Sequence, residues 1–168
     1  MWKGWNLMYK MVLACDLSLT CPAFAVMKFD LRNKTVDLLE VSHIKTNSKK
    51  PLGYRLEQIS EHLQGLLDKY PFDDIVLEKG FNRFAVATQQ LQRVVGITVI
   101  TLYRKGYEGY SELAPTSVKK AVTGDGKASK DELAKALYSF VKYDDYKTND
   151  ESDACGVGIA LGKQKGWI

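Results

Sequence analysis

The sequence predicts an α/β fold in which helices cover a mixed β-sheet. Three segments rich in β-forming residues come first, and alternating helical and extended segments follow them along the chain. The 168 residues contain no internal repeat and no low-complexity linker, which is typical of one domain of ordinary size. We therefore predict a single domain over residues 10–168, preceded by a polar and aromatic extension at residues 1–9.

Five strands and five helices account for most of the chain. Strands are predicted at residues 11–16, 21–30, 35–44, 74–78 and 107–113, where apolar and β-branched side chains dominate. Apolar residues at helical spacing predict helices over residues 52–67 and 84–104. Three shorter helices follow: one starts at Pro115, and two start at the capping patterns Ser129 to Glu132 and Thr148 to Glu151. The predicted fold is a five-stranded mixed sheet flanked by helices.

Composition narrows the class of protein. A net charge of +4, from 24 basic and 20 acidic residues, permits a polyanionic partner but does not require one. The three cysteines form no Cys-x-x-Cys pair and the two histidines, His43 and His62, are isolated, so we predict surface histidines and no zinc site. Sparse cysteines are typical of a cytoplasmic protein, and the apolar run that stops at Asp16 is too short for a signal peptide. We also predict no membrane span, because the chain lacks an apolar segment of ~20 residues.

Four acidic residues are notable for their positions. Asp16 and Glu78 each end a predicted strand, whereas Asp150 and Asp153 share one face of the last helix's first turn. Sites in α/β sheets form at strand ends, so the carboxylates converge if the first and fourth strands are neighbours. Converging carboxylates repel one another, and hard cations such as Mg²⁺ or Mn²⁺ relieve that repulsion. Two such ions can activate a water and stabilise the leaving oxygen in phosphodiester hydrolysis.

Each acid taken alone has a simpler interpretation. Asp16 or Glu78 could be a surface acid at a turn, and Asp150 and Asp153 could do no more than stabilise a helix N-terminus through its dipole. The conjunction and order of all four favour a metal site.

The segments that carry these acids resemble the motifs of a known family. Residues 12–20 (VLACDLSLT) resemble the first motif of the RuvC-type Holliday junction resolvases, residues 75–81 (IVLEKGF) their second acidic strand, and residues 149–154 (NDESDA) their closing helix. The resemblance extends from residue 11 to about residue 162. It implies an RNase H-like fold, metal binding and catalysis by Asp16, Glu78, Asp150 and Asp153, and cleavage of branched DNA by a homodimer.

Three further positions match the same family. Phe81 is similar in position to an aromatic residue that stacks on bases at the junction, and Lys119 and Lys130 to the family's two functional lysines. Stacking on an unpaired base contributes ~1–3 kcal/mol, and lysines near the scissile phosphate neutralise charge in the transition state. A buried aromatic and a solvated helix face are the simpler interpretations of these residues.

Basic residues around the acidic motifs predict a DNA-binding rim with phosphate contacts that are largely independent of sequence. The residues that we expect to contact DNA besides Phe81 are Lys79, Arg83, Lys120, Lys49 and Lys50. Arg55, Lys45, Arg93 and Lys127 extend the predicted rim. Ordinary solvated side chains are the alternative for its more distant members.

The helix over residues 84–104 has more apolar side chains than one buried face requires, which predicts a two-fold dimer with two identical active sites. Leu17 and Ser18 replace the Pro-Gly that usually follows the first aspartate, a form similar to phage-encoded relatives. This replacement leaves open the cleavage-sequence preference and the strictness for four-way junctions over forks and three-way structures. Two other functions remain: an RNase H-like nuclease that cuts RNA–DNA hybrids, and a branched-DNA-binding module without activity.

Overall fold

The computed structural model describes residues 8–80 and 85–168. In that part of the chain the strands are β1 (Tyr9–Asp16), β2 (Ala23–Asp30), β3 (Thr35–His43), β4 (Asp74–Glu78) and β5 (Ser111–Leu113). The helices are α1 (Leu52–Lys69), α2 (Ala85–Arg104), α3 (Pro115–Thr123), α4 (Lys130–Val141) and α5 (Asn149–Gln164). The order of elements is the predicted one, and the α/β class is confirmed.

The five strands form one mixed sheet in the order β3-β2-β1-β4-β5. β1 pairs antiparallel with β2, and β2 with β3, while β4 runs parallel to both β1 and β5. The first and fourth strands are therefore neighbours, which is the condition that the convergence of Asp16 and Glu78 required.

Two apolar clusters lie on opposite faces of the sheet. Val12 and Ala14 of β1 contact the cluster that contains α5, whereas Leu13 and Cys15 contact the cluster built on α1 and α2, because successive strand side chains alternate between faces. Residues 151–162 of α5 are all buried. A Cβ atom at Gly158 would overlap Met27 Sδ and approach Ala14 Cβ to 3.3 Å, so this glycine allows close contact between helix and sheet.

The structure corrects two details of the predicted elements. β5 is shorter than the strand predicted at residues 107–113. The Tyr107 N–H donates to Leu102 O (3.0 Å), and the Tyr107 hydroxyl accepts a hydrogen bond from the Phe72 N–H (3.1 Å). Tyr107 thus packs beside the end of α2 and does not join the sheet. The capping box at Ser129 is complete, but the one at Thr148 is half formed, since the Glu151 carboxylate accepts the Lys147 N–H.

Within the described residues, none of the helices combines the length and the apolar character that crossing a bilayer demands.

Candidate active site

The sheet brings two of the four acids to adjacent strand ends. Cys15 of β1 pairs with Leu77 of β4, so Asp16 and Glu78, the next and last residues of these strands, lie side by side. Neighbouring strands lie ~4.8 Å apart, which places both carboxylates at one edge of the sheet.

The first turn of α5 contributes the other two acids. One carboxylate oxygen from each of Asp16, Asp150 and Asp153 lies within 4.8 Å of the other two. Thr148 caps the helix by accepting the Glu151 N–H (3.2 Å), which fixes the start of this turn. We call Asp16, Glu78, Asp150 and Asp153 the acidic cluster.

Burial and mutual repulsion raise the pKa values of two members of the acidic cluster. Burial and then the charges of Glu78, Asp153 and Asp150 raise the pKa of Asp16 from its ordinary 3.8 to about 8. Burial and the charge of Asp153 raise the pKa of Glu78 from 4.5 to about 7. Glu78 therefore interacts electrostatically with Asp16 and Asp153.

Two lysines face the acidic cluster. The Lys130 ammonium donates to Asp153 Oδ2 at 2.7 Å, and this hydrogen bond raises the pKa of Lys130. The charges of Lys130 and Lys119 both act to lower the pKa of Glu78. The structure therefore brings both sequence-predicted lysines to the site, although two positive charges do not balance four carboxylates.

The predicted DNA contacts differ in how the structure places them. Lys79, Lys120, Lys49 and Lys50 are exposed, and Lys79 directly follows Glu78. Phe81 and Arg83 lie outside the described residues, so their roles stay predictions. Arg55 is not part of an exposed rim: it is only 9% exposed and donates to Thr46 Oγ1 (2.9 Å) and Leu19 O (3.3 Å).

Sequence reasoning missed Cys21 as a neighbour of the site. Burial, followed by the charge of Asp150 and a hydrogen bond to it, raises the pKa of the Cys21 thiol to about 11. The Cys21 N–H donates to Ser18 Oγ (3.0 Å), so Ser18 shapes the turn that carries this thiol. No spacing in the sequence pointed to this thiol.

Both histidines are also placed differently from the surface positions predicted for them. His43 Nδ1 lies 2.7 Å from Glu151 Oε1, and the His43 side chain is 22% exposed. His62 Nε2 lies 2.9 Å from Ser42 Oγ, on the opposite face of the sheet, and burial lowers its pKa.

The donor set fits a hard divalent cation. The clustered atoms are carboxylate oxygens, the ligand type that Mg²⁺ and Mn²⁺ prefer. Burial first, and repulsion between the acids second, raise the pKa values of Asp16 and Glu78, and a bound cation would stabilise the charged carboxylates against both effects. Among the described residues, Asp16, Asp150 and Asp153 are the only group of three or more potential ligands whose oxygens lie close enough together to share one ion.

The mixed five-stranded sheet with helices on both faces and acids at the β1 and β4 ends defines an RNase H-like fold. Solved structures agree: T. thermophilus RuvC in complex with a Holliday junction substrate superposes with a TM-score of 0.84 and 18% identity, covering 94% of this chain and 97% of that one. The fowlpox virus Holliday junction resolvase superposes with a TM-score of 0.60 and 14% identity over 92% of this chain and 99% of that one.

The family can be stated from sequence comparison. The model of the family described as crossover junction endodeoxyribonuclease RuvC matches residues 12–161. RuvC of Rhizobium johnstonii is 32% identical over 124 residues, 73% of each chain, and RuvC of Finegoldia magna is 26% identical over 150 residues, 88% of this chain and 90% of the relative. The chain belongs to the RuvC family.

The raised pKa values predict how stability depends on pH in EDTA. The folded chain holds the Asp16 proton to about pH 8, whereas the unfolded chain releases it near its ordinary pKa of 3.8. The free energy of unfolding therefore decreases as the pH rises between these values. Asp16→Asn removes this contribution, so at pH 8 the variant should melt at a higher temperature than wild type, with the difference shrinking toward pH 4.

Thermal melts followed by circular dichroism at both pH values check this prediction. Glu61→Gln, which changes an exposed acid of α1, is the matched control and should follow wild type at each pH. An Asp16→Asn variant that melts below wild type at pH 8 in EDTA would contradict the strain assigned to the acidic cluster.

Proposed function

We propose that the chain is a metal-dependent, structure-selective endodeoxyribonuclease that resolves Holliday junctions by phosphodiester hydrolysis. Forks and three-way junctions are expected as further substrates. The observation that carries the proposal is the meeting of Asp16, Asp150 and Asp153 within 4.8 Å, with Glu78 coupled to Asp16 and Asp153. Membership of the RuvC family and the Holliday junction bound to T. thermophilus RuvC support the substrate.

The acidic cluster would hold two Mg²⁺ ions, or Mn²⁺ in their place. Divalent ions supply an activated water and stabilise the leaving oxygen during phosphodiester hydrolysis. Asp16 and Glu78 are presented by rigid strand ends, and Asp150 and Asp153 by a buried helix, so the ligands are positioned before the metal binds.

The basic residues bind and orient the DNA. Lys119 and Lys130, which already interact with the acids, would neutralise the scissile phosphate and the charge that develops on it. The exposed Lys79, Lys120, Lys49 and Lys50 would contact neighbouring phosphates, which gives salt-sensitive binding. Base stacking by Phe81 and a phosphate contact by Arg83 remain part of the proposal.

A homodimer would supply the two active sites that symmetric cleavage of a four-way junction needs. α2 buries Leu91, Val94 and Leu102 in the protein and presents a second apolar face to solvent. On that face a cavity of about 410 Å³ is lined by Ile100 and Tyr103, which are 39% and 64% exposed, with other residues of α2 and the segment after it. We infer that a second copy of the chain covers this face.

The cellular setting follows from the proposed activity. A cytoplasmic resolvase of this kind would act in DNA recombination and repair. The RuvC relatives reported above are bacterial, so the phage-type character suggested by Leu17 and Ser18 stays a prediction.

A cleavage panel tests the proposed function. Labelled four-way junction, fork, three-way junction, linear duplex and RNA–DNA hybrid are each incubated with the chain and Mg²⁺, and cleavage rates are compared. The four-way junction should be cut fastest. Glu78→Gln should lower that rate at least about 100-fold, because even the loss of a metal ligand's hydrogen-bonding partner costs ~10–100-fold.

Glu61→Gln is again the matched control and should cut at the wild-type rate. If the RNA–DNA hybrid is cut faster than the four-way junction, the protein is instead an RNase H-like nuclease that acts on hybrids. If wild type binds the four-way junction tightly but does not cut it, the protein is a branched-DNA-binding module and not an enzyme.

The dimer is tested by size-exclusion chromatography with light scattering at micromolar concentration. Wild type should elute with twice the mass of one chain. Tyr103→Glu should give a monomer, because a carboxylate buried in an apolar interface is strongly unfavourable. Tyr138→Glu alters an aromatic residue of α4 that is 48% exposed, outside the proposed interface, and should remain dimeric. A monomeric wild type would contradict the proposal.

A further inference from the structure

A buried carboxylate lies next to the acidic cluster without belonging to it. Glu151 follows Asp150 in the first turn of α5, and its side chain is only 4% exposed. His43 Nδ1–H donates to Glu151 Oε1 at 2.7 Å, and the Lys147 N–H donates to Oε2 at 2.7 Å. Both oxygens are therefore bonded, as a buried carboxylate requires.

His43 occupies a particular row of the sheet. It pairs with Ala23 of β2, and Ala23 pairs with Asp16 of β1, so the three residues form one line across the strands. Residues directly opposite each other on antiparallel strands point to the same face. His43 therefore lies on the α5 face in the same row as Asp16, whereas Ser42 points to the other face and contacts His62.

The His43–Glu151 hydrogen bond connects two parts of the protein that each provide acids. Asp16 comes from the sheet row that ends in His43, and Asp150 and Asp153 come from the helical turn that contains Glu151. The body of α5 is fixed on the sheet by packing at Gly158, two turns further along. The hydrogen bond fixes the first turn, where a small displacement would separate Asp150 and Asp153 from Asp16.

We propose that His43 and Glu151 are positioning residues that hold Asp150 and Asp153 in register with Asp16 for binding divalent metal. The inference rests on the metal site of the proposed function. It assigns neither residue to the metal or to the DNA.

Mn²⁺ binding to the DNA-free protein, titrated by electron paramagnetic resonance, is the readout. His43→Ala should bind Mn²⁺ about tenfold more weakly than wild type, the lower end of what the loss of an outer-shell partner costs. In junction cleavage the variant should need correspondingly more Mg²⁺ and recover the wild-type rate at saturating Mg²⁺. A defect that saturating Mg²⁺ does not reverse would contradict positioning for metal.

Glu151→Gln is the conservative variant. Its carbonyl can accept the Lys147 N–H while its amide donates to the other tautomer of His43, so both contacts survive. Its Mn²⁺ affinity should therefore remain close to that of wild type. Glu151→Met keeps the volume and removes both contacts, and it should bind as weakly as His43→Ala; it serves the same test if His43→Ala does not fold.

His62→Ala is the matched control. It removes a histidine that makes a 2.9 Å hydrogen bond to Ser42, the neighbour of His43 in β3, but on the face away from the acids. Its Mn²⁺ affinity should equal that of wild type even if its melting temperature falls.

The outcomes separate the two proposals. If wild type does not bind Mn²⁺, the metal site and the proposed function fail together. If wild type binds Mn²⁺ and folded His43→Ala and Glu151→Met bind it equally well, the positioning role is wrong and the proposed function stands.

Discussion

Repulsion among four carboxylates at one edge of the sheet is the constraint around which this protein is organised. Burial, and after it the charges of the other three acids, raise the pKa of Asp16 to about 8. A fold does not gain stability from such an arrangement, because each buried, unpaired charge opposes folding. A bound cation would offset that repulsion, and the charges of Lys119 and Lys130 already act to lower the pKa of Glu78.

The rest of the fold keeps the acids together against this repulsion. Parallel pairing of β1 with β4 sets Asp16 beside Glu78. A helix buried along residues 151–162 carries Asp150 and Asp153, and its close approach to the sheet depends on Gly158. The strain is thus stored at the candidate active site and offset by packing elsewhere, as strain at functional sites commonly is.

Much of this architecture could be predicted from the sequence. Strands that end in an acid are visible as short apolar runs, and the start of α5 is marked by Thr148 and Glu151. The meeting of Asp16 with Glu78 depended on strand order, which the residues alone left conditional and the family resemblance supplied. The start of β5 was harder to predict, because Tyr107 has the character of a strand residue but is held beside α2 by hydrogen bonds with Leu102 and Phe72.

The contacts around the acids could not be predicted, because they join residues that are distant in sequence. His43 and Glu151 are 108 residues apart, and neither belongs to a recognisable ligand motif. Arg55 looked like a surface charge, yet it is buried by contacts with Thr46 and Leu19. Cys21 became a neighbour of Asp150 only through the turn after β1. The pattern of a single sequence predicts helices and strands from periodicity and helix ends from capping residues, but it does not predict tertiary contacts between distant residues.

Anomalous X-ray scattering from crystals soaked in Mn²⁺ tests the central claim most directly. The account predicts anomalous density between the carboxylates of Asp16, Asp150 and Asp153, with Glu78 beside it, and the loss of that density in crystals of Asp16→Asn. Manganese bound elsewhere with this position empty, in crystals of a protein that cleaves junctions, would contradict it.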